Sequence, residues 1–136
     1  MLTLDLTLYT RAGYHSDTSR TFCAKPFTND SFALELEEIT RFALFSALEA
    51  CGPGVPFREI GRIIQRTVEV ESSGMMSVVK QLTGHGIGRD FHMKPWIIHY
   101  GNSFYNRHHC DQLTPKQDNN EPGEMKPGHC FTIEVL

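Results

Sequence analysis

The chain opens on an unbroken alternation: Leu2, Leu4, Leu6 and Leu8 fall on one face, and Thr3, Asp5, Thr7 and Tyr9 on the other. This two-residue period predicts a half-buried strand. Thr10 to Gly13 reads as a turn and Tyr14 to Cys23 as a returning strand that ends before Pro26. Thr28, Asn29, Asp30 and Ser31 are all good helix caps. A helix is predicted from there to about Ala50, with Leu36, Ile39 and Ala43 as its stripe. Leu34, Phe42 and Phe45 widen that stripe, which predicts a well-covered helix. Glu37 and Arg41 form an i,i+4 pair on the polar side. Cys51 to Pro56 is a tight connection. Ile60, Ile63, Ile64, Thr67 and Val68 then recur at helical spacing within a second helix from about Phe57 to Glu71. Val78 and Val79 suggest a further strand. Residues 101–124 are polar, carry Pro115 and Pro122 and lack periodicity, which predicts a long, exposed, mobile loop. The closing stretch alternates again, Cys130, Thr132 and Glu134 opposite Phe131, Ile133 and Val135. This mixture predicts a single α+β domain, helices packed on one face of an antiparallel sheet.

Composition changes this picture little. At 136 residues with a net charge of -3, the chain gives no electrostatic case for nucleic acid or an anionic membrane. No apolar run approaches transmembrane length, and the N-terminus lacks the basic start and apolar core of a signal peptide. Cys23, Cys51, Cys110 and Cys130 show no CxxC spacing and read as free thiols in a reducing compartment.

The chemistry lies in the strands and a glycine-rich stretch. A hairpin centred on Arg11 would set Asp5 directly opposite Asp17. Like charges there destabilise a sheet, and a cation between them removes the penalty. The stretch 83-TGHGIGRDFH-92 places His85 between two glycines and His92 seven residues on. Carboxylates combined with an imidazole suit Mn, Fe, Co or Zn. Two solvated aspartates and a histidine in a turn are the bland alternative. His108, His109 and Cys110 also look like metal bait, but adjacent residues in extended chain point apart. His15, His99 and His129 read as packing or supporting residues.

Taken together, 13-GYHSDTSRTF-22, 53-PGVPFREIGRIIQ-65, 84-GHGIGRDFHMKPWIIHY-100 and 125-MKPGHCFTIE-134 resemble the type 1 methionine aminopeptidases, of the pita-bread (creatinase/aminopeptidase-like) metallopeptidase fold. The resemblance covers nearly the whole chain in order. It implies a curved antiparallel sheet and hydrolysis by metal-activated water, removing the N-terminal methionine of nascent polypeptides. By resemblance, Asp5, Asp17, His85 and Glu134 are metal ligands for two divalent ions (Co, Mn, Fe or Zn), or for one alone in this chain. Glu134 also handles a proton, His92 is the catalytic histidine that steadies the peptide carbonyl, and Phe91 walls the methionine pocket. The family also implies a cytoplasmic or organellar setting, and ribosome association for a full-length parent.

Several features depart from the family. The step from Asp5 to Asp17 is 12 residues, one longer than usual. The loop after Tyr100 is long, and Val135 stands where proline is usual. The family's N-terminal half and its final bridging glutamate have no counterpart here, so the sequence reads as a slice of a catalytic domain. That predicts weak or absent activity for the isolated chain. A non-catalytic metal-binding remnant or interaction module, and an unstable fragment without function, are the competing readings.

Overall fold

A computed structural model describes residues 1–23, 30–101 and 119–135. Strand β1 (Leu2–Tyr9) and strand β2 (His15–Phe22) form a hairpin; helix α1 (Ser31–Glu49) and helix α2 (Arg58–Glu71) follow; strands β3 (Thr83–Gly86) and β4 (Met93–Ile98) form a second antiparallel pair. Among the described residues there are thus two two-stranded sheets, not one continuous sheet. No helix among them is long and apolar enough to cross a membrane.

The core lies between the helices and β4. Asp30 caps α1, its carboxylate accepting from the N–H groups of Phe32 (3.1 Å) and Ala33 (3.2 Å). From α1, Ile39, Ala43 and Ala47 meet Ile60, Ile64 and Val68 of α2, with Phe57, Ile97 and Met125 closing the cluster. The two alanines are fully buried, so the helices approach closely where α1 presents small side chains. Gly61 lets α2 approach β4: a Cβ there would strike the carbonyl oxygens of Ile98 and Tyr100 and the Asn119 amide.

Three expectations are corrected. The leucine face of β1 is the outward one, with Leu2, Leu4, Leu6 and Leu8 all exposed. The polar face of the hairpin is turned inward, and His15, Asp17, Ser19 and Thr21 of β2 are its half-buried positions. Alternation marks two faces but does not say which one faces the core. Second, α1 is not well covered: Phe32, Leu34, Phe42, Phe45 and Leu48 remain exposed around its girth. Third, Val78 and Val79 form no strand. The C-terminal alternation survives as a bridge between Gly86 and Phe131 with flanking backbone bonds, Ile87 N–H to Cys130 O (3.1 Å) and Thr132 N–H to His85 O (2.8 Å).

Of the 101–124 segment, residues 102–118 lie outside the described residues, and with them His108, His109 and Cys110. Its two ends are anchored. Gly101 N–H donates to Gln65 Oε1 (2.8 Å), and buried Asn119 donates through Nδ2 to the carbonyl of Tyr100 (2.9 Å). Glu124 bridges to Pro56.

Candidate metal centre

The β1–β2 register decides the aspartates. The hairpin is centred on Ala12, not Arg11, so Asp5 pairs with Ser19 and Asp17 with Thr7. The expectation that Asp5 and Asp17 face each other directly is therefore corrected: the longer turn slides the pairing by two residues. The aspartates keep the same face but stand diagonally, roughly 7–8 Å apart at the backbone. Thr7 takes the place opposite Asp17 and donates its hydroxyl to Asp17 Oδ1 (3.1 Å).

Asp17 meets residues from two other segments. One ligand atom each from Asp17, His85 and Glu134 lies within 4.8 Å of the others, and Asp5 is not in this group. His85 Nε2 is 3.2 Å from Glu134 Oε1 and 3.8 Å from Asp17 Oδ2. The imidazole is buried and the Asp17 side chain is 8 % exposed, while that of Glu134 is 27 % exposed.

Each side chain is held from behind. His85 Nδ1 lies 3.0 Å from the carbonyl of Gly86. A carbonyl can only accept, so Nδ1 carries the proton, and Nε2 is the ring atom turned toward both carboxylates. A lone pair facing carboxylate oxygens is repulsive unless a proton or a cation lies between them. A cation suits this set: imidazole nitrogen plus carboxylate oxygen is a donor combination for first-row divalent metals, and the Nδ1–carbonyl bond is the usual support of a ligating histidine. Gly84 has no room for a side chain, because the backbone of Thr132 lies against it. Here the unusual glycine content serves close approach of two strands.

Aromatic rings line one flank. His92 lies edge-on to His85 with ring centroids 4.3 Å apart, and Phe91 is 5.4 Å from His85 and 4.4 Å from His92. His92 is exposed and Phe91 half-buried. His15 packs on Phe91 at 5.6 Å, and its backbone N–H donates to the carbonyl of Gly88 (2.8 Å), tying β2 to the 85–92 turn.

Three residues support the site; Thr132 and Thr7 had little signal in the sequence, whereas His99 read there as a packing or supporting residue. The Thr132 hydroxyl donates to Glu134 Oε1 (2.6 Å) and accepts from the His85 N–H (3.0 Å). Its place two residues before Glu134 in extended chain, on the same face, was the available clue. Buried His99 accepts the Glu134 N–H through Nε2 (3.2 Å). Burial holds His99 well below the usual imidazole range, at about 4. Thr7 completes the set.

A sequence model of metallopeptidase family M24 matches residues 1–136. The chain is 36 % identical over 137 residues to methionine aminopeptidase 1D, chloroplastic/mitochondrial, of Arabidopsis thaliana, covering all of this chain and 32 % of that protein. It is 37 % identical over 138 residues to the methionine aminopeptidase of Escherichia coli K12, again covering all of this chain and 43 % of the relative. The crystal structure of the Rickettsia prowazekii methionine aminopeptidase superposes with a TM-score of 0.72 at 29 % identity, over 95 % of this chain and 43 % of that one. A dipeptidase from Pyrococcus horikoshii shares the fold alone, with a TM-score of 0.66 at 21 % identity. The chain thus spans less than half the length of these relatives. The architecture is that of the pita-bread metallopeptidases, and the chain belongs to metallopeptidase family M24.

Proposed function

We propose that this chain carries the metal-binding part of a metalloaminopeptidase that hydrolyses the peptide bond after an N-terminal methionine. The observation that carries this reading is the convergence of Asp17, His85 and Glu134, with His85 Nε2 facing both carboxylates. Asp17, His85 and Glu134 would hold one divalent ion. Asp5, on the same face of the hairpin, would contribute to a second ion alone. A divalent ion in such a site supplies Lewis acidity toward water and a peptide carbonyl.

The chain's own groups do the rest. Glu134, the most open of the three ligands, is the group placed to take up and return a proton. His92 is exposed beside the ligands and would hydrogen-bond the scissile carbonyl oxygen as charge develops on it. Removal of such a donor costs about 2.7–4 kcal/mol of barrier. Phe91 offers an apolar face to an unbranched thioether side chain. Nascent polypeptide N-termini are the proposed substrates. The cytoplasm is the proposed compartment, in keeping with thiols at Cys23, Cys51 and Cys130 that are not bridged to one another.

The test combines metal binding and turnover. Mn²⁺ or Co²⁺ is titrated calorimetrically into the wild type, Asp5→Asn and Asp17→Asn, and methionine release from a Met-Ala-Ser peptide is followed with His92→Ala as control. Asp17→Asn should abolish binding, whereas Asp5→Asn should lower the stoichiometry and leave one ion bound. Metal-dependent release lost in His92→Ala supports the enzyme. Metal binding without release at any enzyme concentration supports the non-catalytic metal-binding module instead. Equal binding by the wild type and Asp17→Asn refutes both.

A further inference from the structure

We infer that Thr132 is a positioning residue that orients the Glu134 carboxylate and couples it to His85; the inference rests on the metal-binding reading above. Its hydroxyl has a single proton, and its surroundings dictate where that proton goes. The His85 backbone N–H donates to Oγ1 at 3.0 Å, which uses one oxygen lone pair. Two acceptors lie within reach, Glu134 Oε1 at 2.6 Å and the His85 carbonyl at 3.4 Å. That carbonyl already accepts the Thr132 N–H at 2.8 Å. The shorter contact has the length of a charge-assisted O–H···O⁻ bond, so the proton lies on the Glu134 side.

The oxygen that receives it is the one 3.2 Å from His85 Nε2. Thr132 therefore fixes which carboxylate oxygen faces the imidazole. The same hydroxyl is bonded to the backbone of the histidine ligand, so the two ligands are held relative to each other through one side chain. The strands have little freedom to drift, because the Thr132 carbonyl packs directly on Gly84. Without the hydroxyl, the partly exposed Glu134 carboxylate is free to turn into water.

The test is a Co²⁺ titration of EDTA-stripped protein, read by visible absorption, on the wild type, Thr132→Val, Thr132→Ala and Thr132→Ser. Thr132→Val should bind Co²⁺ about 10–100-fold more weakly, the range for loss of an outer hydrogen-bond partner of a metal ligand. Its absorption bands at saturation should also shift, which a merely structural role would not cause. Thr132→Ser should stay within about threefold of the wild type with the same spectrum, since it keeps the hydrogen bond of the hydroxyl. Thr132→Ala gives the same reading should the valine variant fail to fold. Unchanged affinity and spectrum in the valine or alanine variant overturns the inference, as does a serine variant as weak as valine. Absence of any Co²⁺ band in the wild type overturns the metal-binding reading itself.

Discussion

Protonation of His99 is expected to destabilise this protein from within. Its imidazole is 1 % exposed and sits beside a cavity of about 160 Å³ lined by Leu36, Ile39, Val68, Met76, Val78 and Leu82. Nε2 accepts the Glu134 N–H, so a proton placed there would both charge a desolvated ring and oppose one N–H with another. Burial lowers the pKa from 6.5 to about 4. The unfolded chain therefore binds this proton first, and stability falls as pH drops from 6.5 toward 4. The full separation corresponds to about 3 kcal/mol, of which about 2 kcal/mol is lost by about pH 5. The assay is urea unfolding in EDTA at several pH values between 8 and 4.5, read by the fluorescence of Trp96, the single tryptophan. His99→Gln keeps an acceptor for the Glu134 N–H but does not titrate, so its loss between pH 8 and 5 should be smaller by about 2 kcal/mol. Parallel pH profiles for the wild type and His99→Gln would refute the argument, because they would mean His99 titrates alike in both states.

Two further substitutions probe the frame that carries the site. Gly61→Ala should cost about 2–3 kcal/mol by urea unfolding, since the new methyl group meets backbone carbonyls that cannot rotate away; a change under about 0.5 kcal/mol, the surface-substitution range, would show that α2 does not pack on β4 as described. Asp30→Ala should cost about 1 kcal/mol through loss of the α1 cap, with Asp30→Asn recovering most of it; equal losses in both would point to the charge, not the cap.

The local elements were legible because they follow from the chain's own periodicity. The Leu2–Tyr9 alternation, the returning strand, the run of four cap residues at 28–31 and the Ile60–Val68 stripe each predict the element that forms there, and the structure selects Asp30 as the cap. Spaced motifs led to the family, and alternation put Thr132 and Glu134 on one face. What sequence could not settle depends on relations between segments. The turn between Tyr9 and His15 sets the hairpin register, and only that register shows Thr7 opposite Asp17 with Asp5 displaced along the strand. Period-two alternation is symmetric between its faces, so it could not reveal that β1 turns its threonines, and not its leucines, toward the site. The tautomer of His85 follows from a carbonyl 3.0 Å away, and the neutrality of His99 from burial; neither leaves a mark on residue order. The candidate metal centre draws side chains from β2, β3 and the C-terminal stretch, 117 positions apart at the extremes (Asp17 to Glu134). Residue types and spacing named its candidates, but only three-dimensional packing selected Asp17, His85 and Glu134 as the three that meet.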